Sequence, residues 1–254
     1  MLKRLLIVVF LVSNAWPQSA DITLTAPEIV DKVDKQLRVL NGLTKGQFTI
    51  TNNLGRVRIY KTILFKNNES SLFLIDTVGR GRILKILYND FGENIYAYNL
   101  QDKRFYHKRE LDRFDSILRT GFYFIDLNSS PFAENYTAKI AGRDKNDSLL
   151  IIENIPLDRG KYSKLNFYLD TKNDFELKRI DYYDRDGVLL KSLKVTFSRI
   201  PVRKAKDKTI NTMIASKLEM MHMGEGTISV LEYLINDQTA KLDASLFKKE
   251  NIEK

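Results

Sequence analysis

Ser71-Leu72-Phe73-Leu74-Ile75-Asp76-Thr77-Val78 and Arg82-Ile83-Leu84-Lys85-Ile86-Leu87-Tyr88 are runs of large apolar and β-branched residues separated only by Gly79-Arg80-Gly81. Such a short connection joins antiparallel neighbours, because a parallel crossover needs about a dozen residues or more. The pair therefore predicts a hairpin. Its alternation is apolar on both sides: Phe73 and Ile75 point opposite Leu72 and Leu74, and Leu84 and Ile86 point opposite Ile83 and Leu87. Both faces must then be covered, by helices or lipid on one and by a second layer or the sheet's own curl on the other.

Similar runs extend in both directions. Val57 to Phe65 precedes the hairpin and Asn94 to Leu100 follows it, with breaks at Asn52-Asn53-Leu54-Gly55, Asn67-Asn68 and Asn89-Asp90-Phe91-Gly92. A second series reads 136–142, 148–155, 163–170, 176–183, 188–200, 211–223 and 227–235, punctuated by turns such as Asp184-Arg185-Asp186-Gly187 and Gly224-Glu225-Gly226. The prediction is mainly β with helices: an incomplete, half-open antiparallel barrel of about eleven strands, wrapped around or covered by short helices. No proline-rich or low-complexity linker interrupts it, so residues 21–254 are expected to form a single domain.

Thr25-Ala26-Pro27-Glu28 is a capping box with proline at the first helical position, and Ile29, Val33, Leu37 and Leu40 follow at helical spacing. This predicts a helix over 26–40, stopped by Asn41-Gly42. Between Glu110 and Pro131, the residues Leu111, Phe114, Ile117, Leu118, Phe122, Phe124 and Ile125 predict one or two short helices lying across the sheet. Asp243 to Phe247 reads as a brief terminal turn followed by a frayed basic tail.

Ahead of all this, Lys3 and Arg4 precede the apolar run Leu5 to Val12 and then small and polar residues up to Ala20. That is the layout of a secretory signal over residues 1–20, and the run is shorter than the roughly 20 residues that span a bilayer. The mature protein is expected in the periplasm. The 254 residues carry a formal charge of +9, which favours anionic or zwitterionic partners; the chain has no cysteine and two histidines, His107 and His222. Disulfides and thiolate sites are excluded, and zinc or triad chemistry has little material.

No nucleophile elbow, zinc-protease motif, P-loop or dinucleotide fingerprint occurs. Asp181, Asp184 and Asp186 cluster at a strand end and the hairpin turn Asp184-Arg185-Asp186-Gly187, and lack the ligand ladder of a calcium loop. No catalytic residue, metal site or cofactor is nominated. Sequons begin at Asn68, Asn128, Asn135 and Asn146. The basic, aromatic stretch Lys103 to Arg109 suits a lipid headgroup or a partner's acidic rim better than nucleic acid, which is not expected as a partner.

A curled sheet of this size encloses more room than a few side chains can fill, so it must be plugged or hollow. The residues proposed to line an apolar hollow are Ile63, Phe65, Leu72, Leu74, Leu165, Phe167, Leu169, Leu193, Val195 and Phe197, the later ones sharing a face interrupted only by Lys191. Phe114, Leu118, Phe122 and Phe124 are proposed as a lid. Met213, Met220, Met221 and Met223 crowd one strand, either against a flexible ligand or as core filling.

In order along the chain, the helix Pro27 to Leu40, the stretch Gly79-Arg80-Gly81-Arg82-Ile83-Leu84-Lys85-Ile86, Tyr96-Ala97-Tyr98 leading to Lys103-Arg104, Ile140-Ala141-Gly142 and Asp184-Arg185-Asp186-Gly187-Val188-Leu189-Leu190-Lys191 are together similar to the LolA-like outer-membrane lipoprotein-sorting proteins. Where many relatives carry a Ser-Asp-Phe-rich stretch, this chain reads Thr120-Gly121-Phe122-Tyr123-Phe124-Ile125-Asp126. The resemblance implies a periplasmic, non-enzymatic carrier that shelters lipoprotein acyl chains. It would act as a monomer between a membrane-bound donor and acceptor. The alternative is an envelope interaction or regulatory domain with a filled core; an enzyme acting on envelope lipid or glycan is disfavoured for want of an acid/base pair.

Overall fold

The computed structural model describes residues 22–79, 81–127, 130–145, 148–158, 160–205 and 208–253. The expected signal segment, Arg80 of the glycine turn, and the sequons at Asn128 and Asn146 lie outside these residues.

Thirteen strands form one sheet: β1 Gly42–Thr51, β2 Val57–Lys66, β3 Ser71–Thr77, β4 Gly81–Asn89, β5 Asn94–Asn99, β6 Arg104–Lys108, β7 Tyr136–Arg143, β8 Leu150–Pro156, β9 Lys164–Asp170, β10 Glu176–Tyr183, β11 Leu189–Ala205, β12 Lys208–His222 and β13 Thr227–Asp237. Their spatial order is β6-β5-β4-β3-β2-β1-β13-β12-β11-β10-β9-β8-β7. Each neighbouring pair is antiparallel, as the short turns require, and a brief parallel contact also sets Val202 of β11 beside Asn236 of β13. Among the described residues no pairing joins β6 to β7, so the curled sheet remains a half-barrel.

The count exceeds the eleven strands expected because β1 and β6 are strands as well. Polar Thr, Lys and Gln alternate with the inward residues of β1, and β6 is a short basic edge, so neither shows a dense apolar run. Gly46 of β1 sits at a register shift against β13, and a Cβ there would lie 2.3 Å from the Glu232 carbonyl oxygen. The backbones approach so closely that only glycine fits.

Helix α1, Ala26–Leu37, buries Ile29, Val30 and Val33 against the concave face. The Glu28 carboxylate accepts the Thr25 backbone N–H and hydroxyl, each at 2.7 Å. The helix stops at Leu37, earlier than the spacing predicts, because Arg38 is already extended and Val39 and Leu40 pack on the core from a non-helical segment. Gly42 does not cap α1. It opens β1 with φ 105°, tight against the Asp237 carbonyl.

The segment 110–131 carries the short helices expected there, in 3-10 and not α form among its described residues. It holds 3-10 turns at Glu110–Phe114 and Phe124–Leu127 joined by a Ser116–Tyr123 bridge, and the short helix α2, Phe132–Asn135, follows it. Positive φ at Leu118 and Arg119 reverses the chain between the turns, which a continuous helix cannot accommodate.

The C-terminal tail is packed where fraying was expected. After the 3-10 turn Ala244–Phe247, Phe247 and Ile252 cover Leu72, Leu74 and Leu87 on the convex face. This is the second cover demanded by the two-sided β3–β4 hairpin.

Candidate functional site

The inward rows of the sheet follow from its register. Lys66, Ser71 and Tyr88 are laterally paired and share one row, and Leu64, Phe73 and Ile86 form the next. In the other half, Leu165, Tyr182, Lys191 and His222 make one row, and Phe167, Ile180, Leu193 and Met220 the next. Between these halves lies a cavity of about 1720 Å³. Its walls include Leu64, Phe73 and Tyr88 on one side and Leu165, Ile180, Tyr182, Leu193, Leu218, Leu231 and Tyr233 on the other. Its rim is built from Leu37 to Asn41 after α1, from parts of 110–114 and 125–127, and from α2. Asp34 of α1 accepts the backbone N–H groups of Phe132 and Ala133 at 2.8 and 2.9 Å, clasping α1 to α2 beside the rim. Burial raises the Asp34 pKa and those two hydrogen bonds oppose the rise.

Of the residues expected to line a hollow, Leu165 and Leu193 do so. Phe167, Leu169, Val195 and Phe197 belong to the main core that continues beyond the cavity, where Phe132 of α2 packs edge-on against Phe167 at 5.0 Å. Ile63, Phe65, Leu72 and Leu74 require correction. They lie on the convex face in the cluster closed by Phe247 and Ile252, because the inward phase of β2 and β3 runs through Leu64 and Phe73. Of the lid residues, Phe114 borders the cavity, with its ring against Gly160 and edge-on to Tyr162 at 5.2 Å. Leu118, Phe122 and Phe124 pack within the main cluster, and Phe122 meets Phe48 of β1 at 5.6 Å. That stretch plugs one part of the barrel, so only its flanks bound the hollow. The methionines also separate: Met220 is fully buried, whereas Met213, Met221 and Met223 are exposed.

The plug is held by a buried polar centre. The Lys191 side chain is 0% exposed and its ammonium donates to the Asp126 carboxylate and, at 3.1 Å, to the Gly121 carbonyl. It stands 3.5 Å from the Tyr123 ring centroid, 5.0 Å from that of Tyr182 and 5.2 Å from that of Tyr162. The Tyr162 hydroxyl and the Tyr123 backbone N–H donate to Asp126 at 2.7 and 2.6 Å. Burial lowers the Lys191 pKa to about 8 against the pull of Asp126. The phenols of Tyr88, Tyr162 and Tyr182 are pushed well above their usual value by burial first and the Asp126 charge second, so they stay neutral. Tyr88 donates to the Phe124 carbonyl at 2.9 Å. This centre satisfies its own groups and leaves no activated nucleophile.

The other residues singled out by chemistry have structural tasks. Asp184 accepts the N–H groups of Asp186 and Val188 within its turn, and Asp181 accepts the Ser192 hydroxyl at 2.6 Å. His222 lies 3.3 Å from the Tyr123 hydroxyl, and burial lowers its pKa. His107 stacks on Tyr96 at 4.4 Å. No helix among the described residues is long and apolar enough to cross a membrane.

Comparison with known proteins agrees with the architecture. A family model described as "-like: Uncharacterized protein" matches residues 68–254. The curated proteins give no match. Among solved structures, a domain assigned to outer membrane lipoprotein sorting from Vibrio parahaemolyticus is similar, with TM-score 0.71 at 17% identity, over 90% of this chain and 98% of that one. A LolA superfamily protein from Nitrosomonas europaea gives TM-score 0.64 at 20% identity over 89% of this chain and 99% of that one. At these identities the likeness is one of fold.

Proposed function

We propose that this chain, which belongs to the family whose model covers residues 68–254 and has the LolA-like half-barrel fold, is a carrier of acyl chains. It works in the periplasm as a monomer, takes lipoprotein acyl chains or similar lipid from a membrane-bound donor, and passes them to an acceptor at the outer membrane. No covalent step is involved. The observation that carries this reading is the hollow of about 1720 Å³ between the two halves of the sheet, larger than the roughly 300–1,000 Å³ of ordinary small-molecule sites. Apolar burial at about 25 cal/mol per Å² supplies the affinity. Tyr88 and Tyr162, which line the hollow, stay neutral and donate their hydroxyls to the Phe124 carbonyl and to Asp126, so neither strands a polar group in the wall. A filled-core interaction domain has no use for such a volume.

The test is extraction and transfer. Protein purified without detergent is extracted for lipid, and a radiolabelled acylated lipoprotein is offered to it and then to acceptor vesicles. Co-purifying acyl species and passage of the label into the acceptor are the expected results. Failure to bind any acyl ligand removes the proposal.

A further inference from the structure

We infer that the Tyr182 phenol is a hydrogen-bond anchor in the wall of the hollow, donating its hydroxyl to the neutral carbonyl, ester or amide, that joins an acyl chain to its head. The inference deepens the carrier reading and rests on it.

Two successive rows of the sheet differ in character where they meet the cavity. Tyr182 is laterally paired with Lys191 on one side and Leu165 on the other. The next row along the strands pairs Ile180 with Leu193 and is apolar. Two residues of a strand advance about 7 Å, the length of a few methylenes. In the other direction β10 runs into the turn bearing Arg185, which is exposed, borders the cavity and donates to the Gly160 carbonyl at 3.0 Å. The row of Tyr182 therefore lies nearer that opening and the apolar row lies deeper. That is the order of linkage and chain in an acylated molecule whose head stays at the mouth.

Tyr182 is 4% exposed and lines the cavity. Its ring is fully engaged, 5.1 Å from the Tyr162 ring and 5.0 Å from the Lys191 ammonium. Its hydroxyl is not. Tyr88 and Tyr162 donate to the Phe124 carbonyl and to Asp126, but the Tyr182 phenol takes part in no hydrogen bond among the described residues. Nor is its oxygen one of the buried polar atoms sealed away without a partner, so it opens onto the cavity. Phenylalanine would supply the same ring stacking and the same cation–π contact, and neither accounts for the hydroxyl. Burial keeps the phenol neutral and hence a donor.

The neighbours decide what it holds. The ammonium beside the phenol is taken by Asp126 and the Gly121 carbonyl, and the Asp126 charge opposes a second carboxylate. A neutral acceptor fits, and on an acyl ligand that is the carbonyl oxygen of the linkage. Tyr233 is also a buried phenol of the wall without a hydrogen bond, but it stands on β13, three strands from β10, and serves as the comparison.

Three uncharged ligands with one C16 chain test this by displacing the fluorescent probe 1-N-phenylnaphthylamine: the ester 1-palmitoylglycerol, the amide N-palmitoylethanolamine and the ether 1-O-hexadecylglycerol, which has no carbonyl. From the wild type, the ester or the amide should displace the probe at about fivefold lower concentration than the ether, the effect of one net neutral hydrogen bond. The stronger of the two identifies the linkage. In Tyr182→Phe this advantage should vanish with the ether unaffected, and in Tyr233→Phe it should persist. Tyr182→Phe should also melt no lower than the wild type, because the free protein has no bond to that hydroxyl to lose. A carbonyl advantage that survives Tyr182→Phe or is lost in Tyr233→Phe, or a clear fall in melting temperature in Tyr182→Phe, overturns the anchor. Equal displacement by all three from the wild type does the same while leaving the carrier intact. Displacement by none of them overturns the carrier and the anchor with it.

Discussion

The ammonium of Lys191 on β11 and the carboxylate of Asp126 in the 110–131 segment form an ion pair with both side chains sealed from solvent, at 0% and 2% exposure. The pair ties the plug to the sheet. Replacing one member strands the other in a medium that solvates charge poorly, a loss of about 3–5 kcal/mol. Lys191→Met should fall in that range by urea unfolding. The double variant Lys191→Met, Asp126→Leu should be more stable than the sum of the single losses by about 1 kcal/mol or more. Strict additivity would show that the two groups do not act together.

The same lysine shapes the alkaline stability profile. Its native pKa is held down to about 8, so between about pH 8 and pH 10 the unfolded chain binds more protons than the native one, and this group makes stability rise with pH. The buried tyrosines, with pKa values raised in the native state, act in the opposite sense only above about pH 10, where unfolded phenols ionise. The stability difference between wild type and Lys191→Met, measured at pH 8, 9 and 10, should shift in favour of the wild type as pH climbs. A difference independent of pH would reject this assignment.

The convex cover makes a separate contribution. Phe247 is 8% exposed and closes Leu72, Leu74 and Leu87. Phe247→Ala should cost about 3 kcal/mol, the lower end of the usual range because the cluster it closes is small. Truncation before Asp243 should expose the patch and raise binding of a hydrophobic dye, with the cavity wall on the opposite face unaltered. Unchanged dye binding would mean that the turn covers little.

Filling the hollow separates binding from folding. Ala215 and Leu218 line the cavity from β12. Ala215→Phe and Leu218→Trp should each lower acyl-probe affinity at least tenfold while shifting the melting temperature by only a few degrees, since the added atoms enter vacant space. Undiminished probe binding by both variants would place the chains elsewhere.

The β3–β4 hairpin and the open sheet were legible because alternation and turn residues are local signals. Phase was harder. In β2, Ile63 and Phe65 alternate with Leu64 and Lys66, and a lysine normally marks the wet side. Here the lysine faces the hollow and the two apolar residues face the C-terminal tail, a tertiary contact with Leu242 and Leu246 that no local pattern announces. Lys191 did stand out as the one interruption in an apolar face, but Asp126 lies 65 positions away, and only the fold brings them together.

The central seam of the sheet sets an order on folding. β1 and β13 are its middle neighbours, and Leu43 meets Asp237 across 194 positions of chain. The two wings on either side are built from local hairpins that can form early, yet they are joined edge to edge only when the final strand arrives. Such a long-range closure is slow by its topology. A nascent chain therefore exists as two unjoined wings, and the hollow comes into being in the last step of its assembly.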